Sequence, residues 1–493
     1  MSSAIDPLSL EPGAITTTPG GVPFYTEKGK AQPRAVTGRF RSLKWWAMTI
    51  TLAWWHLAPF LRWDRGPGQP DQAILIDMPG RRAYFFFLEI WPQEVYYLTG
   101  ILLLSAITLF LMSALAGRVW CGFLCWQTVY TDLFVLIERL VIGDRNERIA
   151  LSRAPWSLGK LGRMALVNLL WLMIGAACGI GFVLWFGDAP QMLRDIFTGH
   201  APLPSYLFIG VIGGFCYLLG GHARERVCVY MCPYSRFQAA MLDEHSLVVS
   251  YEAWRGEPRG HLKGGVQGRP VDEVFAGRGH CVDCNMCVQA CPTGIDIRRG
   301  NQLACIGCGL CVDACNGVMD RLGLPRNLIS YDSNANMMAR SQKQPTRSRL
   351  IRPRTVLYMV LLAAVGSVML FSLMTRANVR VDVLHERVPL YVQLKGGAVR
   401  NGYDYKILNM VAASRTFTVT TDNPEASLSV IGGAEDQKSL TLSVSPDSVG
   451  SFRVFVTLPR PEGNGNKPLT FILNEPSISQ PVRKDSFFAM PEN

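Results

Sequence analysis

No cysteine follows Cys315 in this chain, although its 493 residues hold fourteen, eight of them between Cys281 and Cys315. Crowding of that kind argues against a disulfide framework and for metal ligation. The first forty residues lack the apolar core of a secretory signal. They are polar, with Pro and Gly, and read as a disordered cytoplasmic tail over 1–42. There is no C-x-x-C-H site for covalent haem, no G-x-G-x-x-G turn opening a helix and no Walker loop. Kinase and helix-turn-helix motifs are missing too. These absences leave a sensory reading, or a chain carrying its own nucleotide, without support.

What is plentiful is uninterrupted apolar length. Five runs have the character of transmembrane helices: Leu43–Leu61, Val95–Ala116, Ala165–Phe186, Tyr206–Gly221 and Val356–Met374. The fourth is short and carries Gly210, Gly213, Gly214 and Gly220, residues that permit close helix packing. Trp45, Trp46, Trp63 and Trp91 suit interfacial belts. The net charge is +11, and its placement matters more than its size. Arg118, Arg139, Arg145, Arg148, Arg153, Lys160 and Arg163 lie between the second and third runs, whereas only Arg194 lies between the third and fourth. Lys28, Lys30, Arg34, Arg39, Arg41 and Lys44 precede or open the first run. A cytoplasmic N-terminus puts every basic segment on one side. Topology then accounts for the charge without nucleic acid, and five crossings place the cysteines inside and the C-terminus outside.

The expected organisation follows. Residues 43–221 form helices one to four with their loops, and 222–354 a cytoplasmic segment whose cysteine module covers about 270–325. Residues 355–375 form the fifth helix and 376–493 an exported domain. That last region alternates apolar and polar residues, as in Thr416-Phe417-Thr418-Val419-Thr420, with turn signals such as Asp422-Asn423-Pro424. Short strands at this spacing predict an antiparallel β-sandwich, immunoglobulin-like in class. Its single histidine, His385, belongs to no metal-ligand group. The fold class is thus a multidomain α+β membrane protein: a five-helix bundle, a bacterial ferredoxin-like module and a β-sandwich.

The module contains Cys281-x-x-Cys284-x-x-Cys287-x-x-x-Cys291-Pro292 and then Cys305-x-x-Cys308-x-x-Cys311-x-x-x-Cys315. This is the spacing of a two-[4Fe–4S] ferredoxin. A tight loop presents three thiolates to one face of a cube, and the fourth arrives from the other motif. Cys281, Cys284, Cys287 and Cys315 are expected to bind one cluster, and Cys305, Cys308, Cys311 and Cys291 the other. Gly307 and Gly309 leave backbone N–H groups free to approach sulfur. Structural zinc also takes four cysteines, but in two pairs with a longer gap. Asn316 stands where the first motif has Pro292, which changes the turn without removing a ligand.

Two further pairs, Cys121/Cys125 and Cys228/Cys232, follow the second and fourth apolar runs. Spacing of four puts each pair on one side of a helix, if helical. Four soft sulfurs could hold Cu(I) or undergo thiol redox chemistry, whereas an isolated pair of this kind more often packs a helix end. Cys178 and Cys216 fall within apolar runs and are expected to be packing residues. His56, an ionisable group in an apolar run, is either hydrogen-bonded or a metal or proton site. His222 and His245 flank the end of the fourth run, with no role assigned.

The order of parts resembles the cytochrome c oxidase accessory family called CcoG, FixG or RdxA. The likeness runs through Gly117-Arg118-Val119-Trp120-Cys121-Gly122, Gln127-Thr128-Val129-Tyr130-Thr131-Asp132, Ile137-Glu138-Arg139 and Gly143-Asp144-Arg145-Asn146. It continues in Val227-Cys228-Val229-Tyr230-Met231-Cys232-Pro233-Tyr234 and the tandem ferredoxin motifs. The resemblance implies a protein of the bacterial inner membrane that assists assembly of a cbb3-type oxidase by reducing Cu(II) to Cu(I). Its implied partners are a cytoplasmic electron donor, a copper transporter or chaperone, oxidase assembly factors and the bilayer itself. It also implies that the C-x3-C-P pairs handle copper. Cys228, Cys232 and Pro233 match that pattern, whereas Trp126 replaces Pro after Cys125. A quinol-linked ferredoxin conduit and a non-enzymatic assembly scaffold are the competing readings.

Overall fold

The structure, a computed structural model, describes residues 31–66, 68–262, 270–346, 349–411, 413–433, 436–459, 465–476 and 480–491. The chain divides into two compact units, Met1–Met369 and Leu370–Asn493.

In the first unit, α1 (Arg39–Leu57) shows why one sequence stripe can be apolar and still face outward. Leu43, Trp46, Ile50, Trp54 and Leu57 recur at three- and four-residue steps and are all exposed, as on a helix wetted by lipid. Arg41 and Lys44 turn the other way and are buried against Asp132 of α3 (Trp126–Val141). Among the described residues, four segments are long and apolar enough to cross a bilayer: Pro92–Ala116, which contains α2 (Tyr96–Ala116); α5 (Leu158–Val183); Leu203–Ala223, which contains α7 (Leu203–Phe215); and α14 (Pro353–Met374). α1 does not meet that standard, because Arg39, Arg41 and Lys44 occupy its first turns. Four of the five expected crossings thus have the length and composition of a membrane span, and the expected five-helix bundle is not established. Between α3 and α5 lies α4 (Arg145–Arg153), and between α5 and α7 lies α6 (Ala189–Thr198).

α5 and α7 approach until their backbones nearly touch. A Cβ on Gly175 would lie 2.7 Å from the Gly213 carbonyl oxygen, and one on Gly213 would lie 2.7 Å from that of Gly175. Small residues are what allow such crossings in apolar surroundings. A small antiparallel sheet, β1 (Ile74–Asp77), β2 (Arg82–Phe85) and β3 (Leu88–Ile90), caps the C-terminal end of α5. The Ile76 N–H donates to the Trp185 carbonyl at 2.9 Å, and the Gln72 amide donates to that of Leu184 at 3.0 Å.

The expected tail is corrected in its second part. Residues 1–30 lie outside the described residues, but α1 already begins at Arg39 and the segment before it is held in place. The Ala31 N–H donates to Glu225 at 3.0 Å, the Arg34 N–H donates to the Gln289 carbonyl at 2.8 Å, and the Pro33 carbonyl accepts from Arg139 and Arg148. The cause is tertiary: buried guanidinium groups of α3 and α4 need acceptors, and this segment supplies one.

The cysteine module starts after α8 (Pro233–Ala240). Its frame is an antiparallel pair, β4 (Val248–Tyr251) and β5 (Ile329–Asp332). Between them come single turns α9 (Ala253–Gly256) and α10 (Val271–Val274), then α11 (Met286–Ala290) and α12 (Leu310–Leu322). Val249, Phe275, Ile297, Met319, Leu328 and Ile329 form its core. α13 (Asn334–Ser341) follows β5, and Arg340 on it pairs with Glu252 and Asp332 at 2.8 and 2.5 Å.

The second unit contains two antiparallel sheets. One has the order β10 (Ser427–Val430), β12 (Ser448–Leu458), β8 (Val399–Asn409), β6 (Val379–His385), with β7 (Val392–Gln393) also on β8. The other runs β11 (Leu440–Val444), β9 (Arg415–Thr421), β13 (Asn466–Asn474), β14 (Val482–Ala489). Alternate residues of both, among them Tyr403, Tyr405, Phe417 and Phe471, enter one core with no exposure. The alternation read from the sequence is that of a sheet with one buried face.

Candidate iron–sulfur and thiol centre

The two motif loops are built alike with different residues. At the second and fourth positions after the leading cysteine the backbone is left-handed: Asp283 (φ 49°) and Asn285 (φ 55°) in the first, Gly307 (φ 67°) and Gly309 (φ 71°) in the second. Asn and Asp tolerate this region, and Gly adopts it freely. The first loop is held by Arg298, which donates to Asp283 at 2.5 Å, to Asn285 at 2.6 Å and to Asp296 at 2.8 Å. The second is tight for another reason: a Cβ on Gly309 would collide with the Phe40 ring. In the second loop the backbone turns N–H groups toward sulfur. Gly307 donates to Cys305, and Leu310 to Cys308.

Pro292 ends α11, so that Cys291 is extended (φ −71°, ψ 123°) just beyond it. Asn316 permits α12 to continue to Leu322, and its side chain accepts from the Asn327 N–H at 2.8 Å. That difference in helix length is the consequence of the unmatched proline.

Two cavities lie between these elements. One is lined by Cys281, Cys284, Cys287 and Cys315 with Tyr251, Val318 and Met319. The other is lined by Cys291, Cys305, Cys308 and Cys311 with Val249 and Ile297, and Cys287 borders it too. Among the described residues no three metal-ligating side chains group as a single-ion site. Sulfurs spread around a space are what a cluster requires, and a zinc ion requires convergence at about 2.3 Å. Burial pushes the Cys287, Cys305 and Cys315 thiols up to about 12 and Cys308 to about 11. Cys311 is raised still further by the same cause. The donor set therefore fits two clusters, the first with the exposed Cys284 at its edge, and their formation displaces the thiol protons.

The membrane-end pairs are not α-helical i, i+4 pairs. Cys121 lies in a π-helical turn, Trp120–Leu124, and Cys125 is the extended residue (φ −62°, ψ 128°) that opens α3. Cys228 lies in a second π-helical turn, Val227–Met231, and Cys232 (φ −80°, ψ 113°) opens α8. The turns are copies of each other, with Trp126 where the second has Pro233. The Cys121 thiol donates to the buried Gln238 amide oxygen at 2.8 Å. Burial raises Cys121 to about 11 and Cys228 to about 12, and the neighbouring thiols of the set push in the same direction.

Cys121 and Cys228 pack against Ile306, Cys308 and Leu310, the second motif loop itself. A Cβ on Gly122 would meet the Ile306 carbonyl oxygen at 2.9 Å, and the Cys308 Cα and the Gly307 carbonyl oxygen at 3.0 Å. Buried Arg118 donates across the same seam to the Leu303 carbonyl. Gly122, Arg118 and Gln238 were not singled out from the sequence as functional. Only the glycine directly after Cys121 carried a signal, since glycine marks close backbone approach.

The remaining candidates disperse. His56 packs on α5, its Nδ1 2.8 Å from where a Gly181 Cβ would sit. His222 rests edge-on against Trp171 and Tyr217, and His245 lies 3.6 Å from Glu244. His385 meets Asn401 at 2.6 Å and stacks on Phe487. Cys178, expected to be a packing residue, is buried on α5, and Cys216, expected likewise, is half-buried just after α7.

Family models match three stretches: a 4Fe-4S dicluster domain over 223–334, a 4Fe-4S binding domain over 98–141 and an IG-like fold at the C-terminal of FixG over 369–491. The chain is 43% identical to the nitrogen fixation protein FixG of Rhizobium meliloti, over 95% of this chain and 94% of that one. It is 44% identical to protein RdxB of Cereibacter sphaeroides, over 88% and 90%, and 40% identical to RdxA of that organism, over 92% and 93%. With cysteine-lined cavities in the module, apolar helices beside it and these similarities across nearly its whole length, the chain is an iron–sulfur redox protein of the FixG/RdxA family.

Proposed function

We propose that this chain is a membrane cupric reductase serving cbb3-type oxidase assembly: one electron from a cytoplasmic donor reduces one Cu(II) to Cu(I) at Cys121, Cys125, Cys228 and Cys232. The observation that carries this reading is the seam at Gly122, where the second motif loop lies against the turn bearing Cys121 with no side chain between. When bound, [4Fe–4S] clusters supply electrons one at a time, which suits a one-electron acceptor. Cys281, Cys284, Cys287 and Cys315 would hold one, and Cys291, Cys305, Cys308 and Cys311 the other. The chain keeps the second of these sites dry through Val249, Ile297 and Ile306. Soft thiolates favour the reduced ion over the oxidised one, and two of the four suffice for a digonal Cu(I) product, which then leaves by thiolate exchange to a transporter or chaperone.

We also place the motif end of the bundle on the cytoplasmic side of the inner membrane and the C-terminal domain outside. The N-terminal end of α1 meets the module, where the Arg41 N–H donates to Asp313 at 2.7 Å, and its C-terminal end leads into the sheet on the far end of α5. That span supports α1 as a fifth crossing, and the basic residues gather at the module end.

Protein reduced under anaerobic conditions and freed of reductant should turn Cu(II) into Cu(I), read with a Cu(I) chelator, while cluster absorbance returns to the oxidised form. Serine at all four membrane-end cysteines should abolish the reaction and leave the module's iron in place; unchanged rates would remove these thiols from the mechanism. A second reading comes from the 4Fe-4S family match over 98–141, which includes Cys121 and Cys125: the four thiols hold iron rather than handle copper. Iron content beyond that of the eight module cysteines, lost in the same variant, would favour it.

A further inference from the structure

Four arginines are buried among the described residues, and three of them have a carboxylate. Arg41 pairs with Asp132 at 2.8 Å, Arg148 with Glu138 at 3.1 Å and Arg224 with the same Glu138 at 2.6 Å. Arg118, 6% exposed, has no carboxylate among the described residues; its guanidinium donates to the Leu303 carbonyl, and its Nε is without a partner. A guanidinium keeps its charge in a protein, and a buried charge without a counter-charge is strongly destabilising. A cation left in this state points to an anion that arrives with a bound group.

The course of the side chain says which group. Arg118 precedes Cys121 by three residues. Its Cβ lies 3.6 Å from where a Gly307 Cβ would sit, and its guanidinium ends at Leu303, so it runs along the second motif loop past Cys305. Its charge bears on Cys121, Cys228 and Cys305 alike, in each case opposing the burial that pushes the thiol up. Gln238 adds a second donor short of an acceptor: its amide oxygen accepts from the Cys121 thiol at 2.8 Å, and its buried amide nitrogen has no partner. An excess of donors along a buried seam is what thiolates require.

We propose that Arg118 is the counter-ion of the second cluster, set between that cluster and the four thiols, and that it raises the cluster's reduction potential. Four thiolates outweigh the positive charge of a [4Fe–4S] core, and reduction adds a further negative charge. A fixed cation beside Cys305 therefore stabilises the reduced form more than the oxidised one. Arg118 stays protonated throughout, so no proton has to accompany the electron. In the handover one electron leaves the reduced cluster and converts Cu(II) to Cu(I), and Arg118 faces both sites without having to move. It is a positioning residue, acting through charge. The counter-ion role rests on Cys291, Cys305, Cys308 and Cys311 holding a cluster; only the handover rests on the cupric-reductase reading.

The test is an EPR-monitored redox titration of the full chain in detergent with its clusters retained, comparing wild type, Arg118→Gln and Arg118→Lys. The second cluster is the signal that Cys291→Ser disturbs. In Arg118→Gln it should be about tenfold harder to reduce, a fall of about 59 mV for a one-electron couple, with the first cluster unmoved. Arg118→Lys, which keeps the charge, should restore most of that difference. An unchanged second potential in Arg118→Gln with full iron content overturns the proposal. So does an equal shift in both variants, or an equal shift at both clusters. Should Arg118→Gln lose iron, Arg118→Lys decides: iron retained at a near-parental potential supports the counter-ion, and a lowered potential or loss of iron there overturns it. Copper enters none of these measurements, so failure of the reductase reading shows separately, as the expected cluster potentials in a protein that does not reduce Cu(II).

Discussion

Gly122→Ala is the substitution that most directly probes the seam between the motif loop and the thiol turn. The added methyl would stand 2.9 Å from the Ile306 carbonyl oxygen and 3.0 Å from both the Cys308 Cα and the Gly307 carbonyl oxygen. All three are backbone atoms, so no rotamer change relieves the clash. Restoring ordinary contact requires the loop to withdraw by roughly 0.5–1 Å, since interiors are packed too closely to absorb it elsewhere. Overpacking of this size costs about 1–3 kcal/mol of stability. A reacting centre displaced by about 1 Å loses on the order of 10²-fold in rate, so a decrease of roughly 10- to 100-fold is expected. The assay mixes stoichiometrically reduced protein with Cu(II) in a stopped-flow instrument and follows module absorbance and Cu(I)–chelator colour together. Gly159→Ala is the control, because nothing lies within 4 Å of a Cβ there. A Gly122→Ala protein with full iron content and an undiminished rate would refute the idea that electrons cross at this seam.

Other outcomes follow from the same geometry. Cys291→Ser and Cys315→Ser should disturb different clusters, because Cys291 lines the cavity with Cys305, Cys308 and Cys311, and Cys315 lines the one with Cys281 and Cys284; EPR of each variant distinguishes this from loss of the same signal in both. Asp132→Asn leaves buried Arg41 and Lys44 without their carboxylate and should cost about 3–5 kcal/mol, read as a lower melting temperature in detergent. Burial would raise Asp332, but hydrogen bonds from Asn336, Arg340 and Ser333 hold it below its ordinary 3.8. A depressed folded value means that its stabilisation is complete above about pH 4 and disappears as pH falls through that lower value. Asp332→Asn should therefore destabilise the cluster-free protein at pH 7 by a deficit that shrinks as pH falls below 3.8; a deficit that does not change with pH would show the cause to be steric.

The motif loops were legible because their constraint is local. Four thiolates around a cube fix the spacing of Cys281, Cys284 and Cys287, and a left-handed step at Gly307 or Asn285 follows from the turn. The apolar runs and the alternating strands carry their periodicity in adjacent residues as well. What escaped is non-local. Gly122 meets Cys308 across 186 positions of sequence, and no short pattern encodes that encounter. The order before α1 depends on half-buried Arg139 and buried Arg148 needing the Pro33 carbonyl. Strands of three or four residues, such as Ile74–Asp77 and Leu88–Ile90, are too short to show alternation.

Trp126 is the case where sequence and structure bear on each other most closely. Proline restricts the residue before it to extended conformations, which accounts for Cys232 ahead of Pro233. Cys125 adopts nearly the same conformation without that restriction, so tertiary packing must supply it: the Trp126 ring lies 4.6 Å from Trp55 and 5.0 Å from Tyr130. Trp126→Pro should therefore keep the turn and Cu(II) reduction at the four thiols. Trp126→Gly, with neither restriction nor ring, should lose both. If Trp126→Pro abolishes reduction although iron is retained, the ring rather than the backbone shape is what the thiol set needs, and the two turns are alike in form without being alike in function.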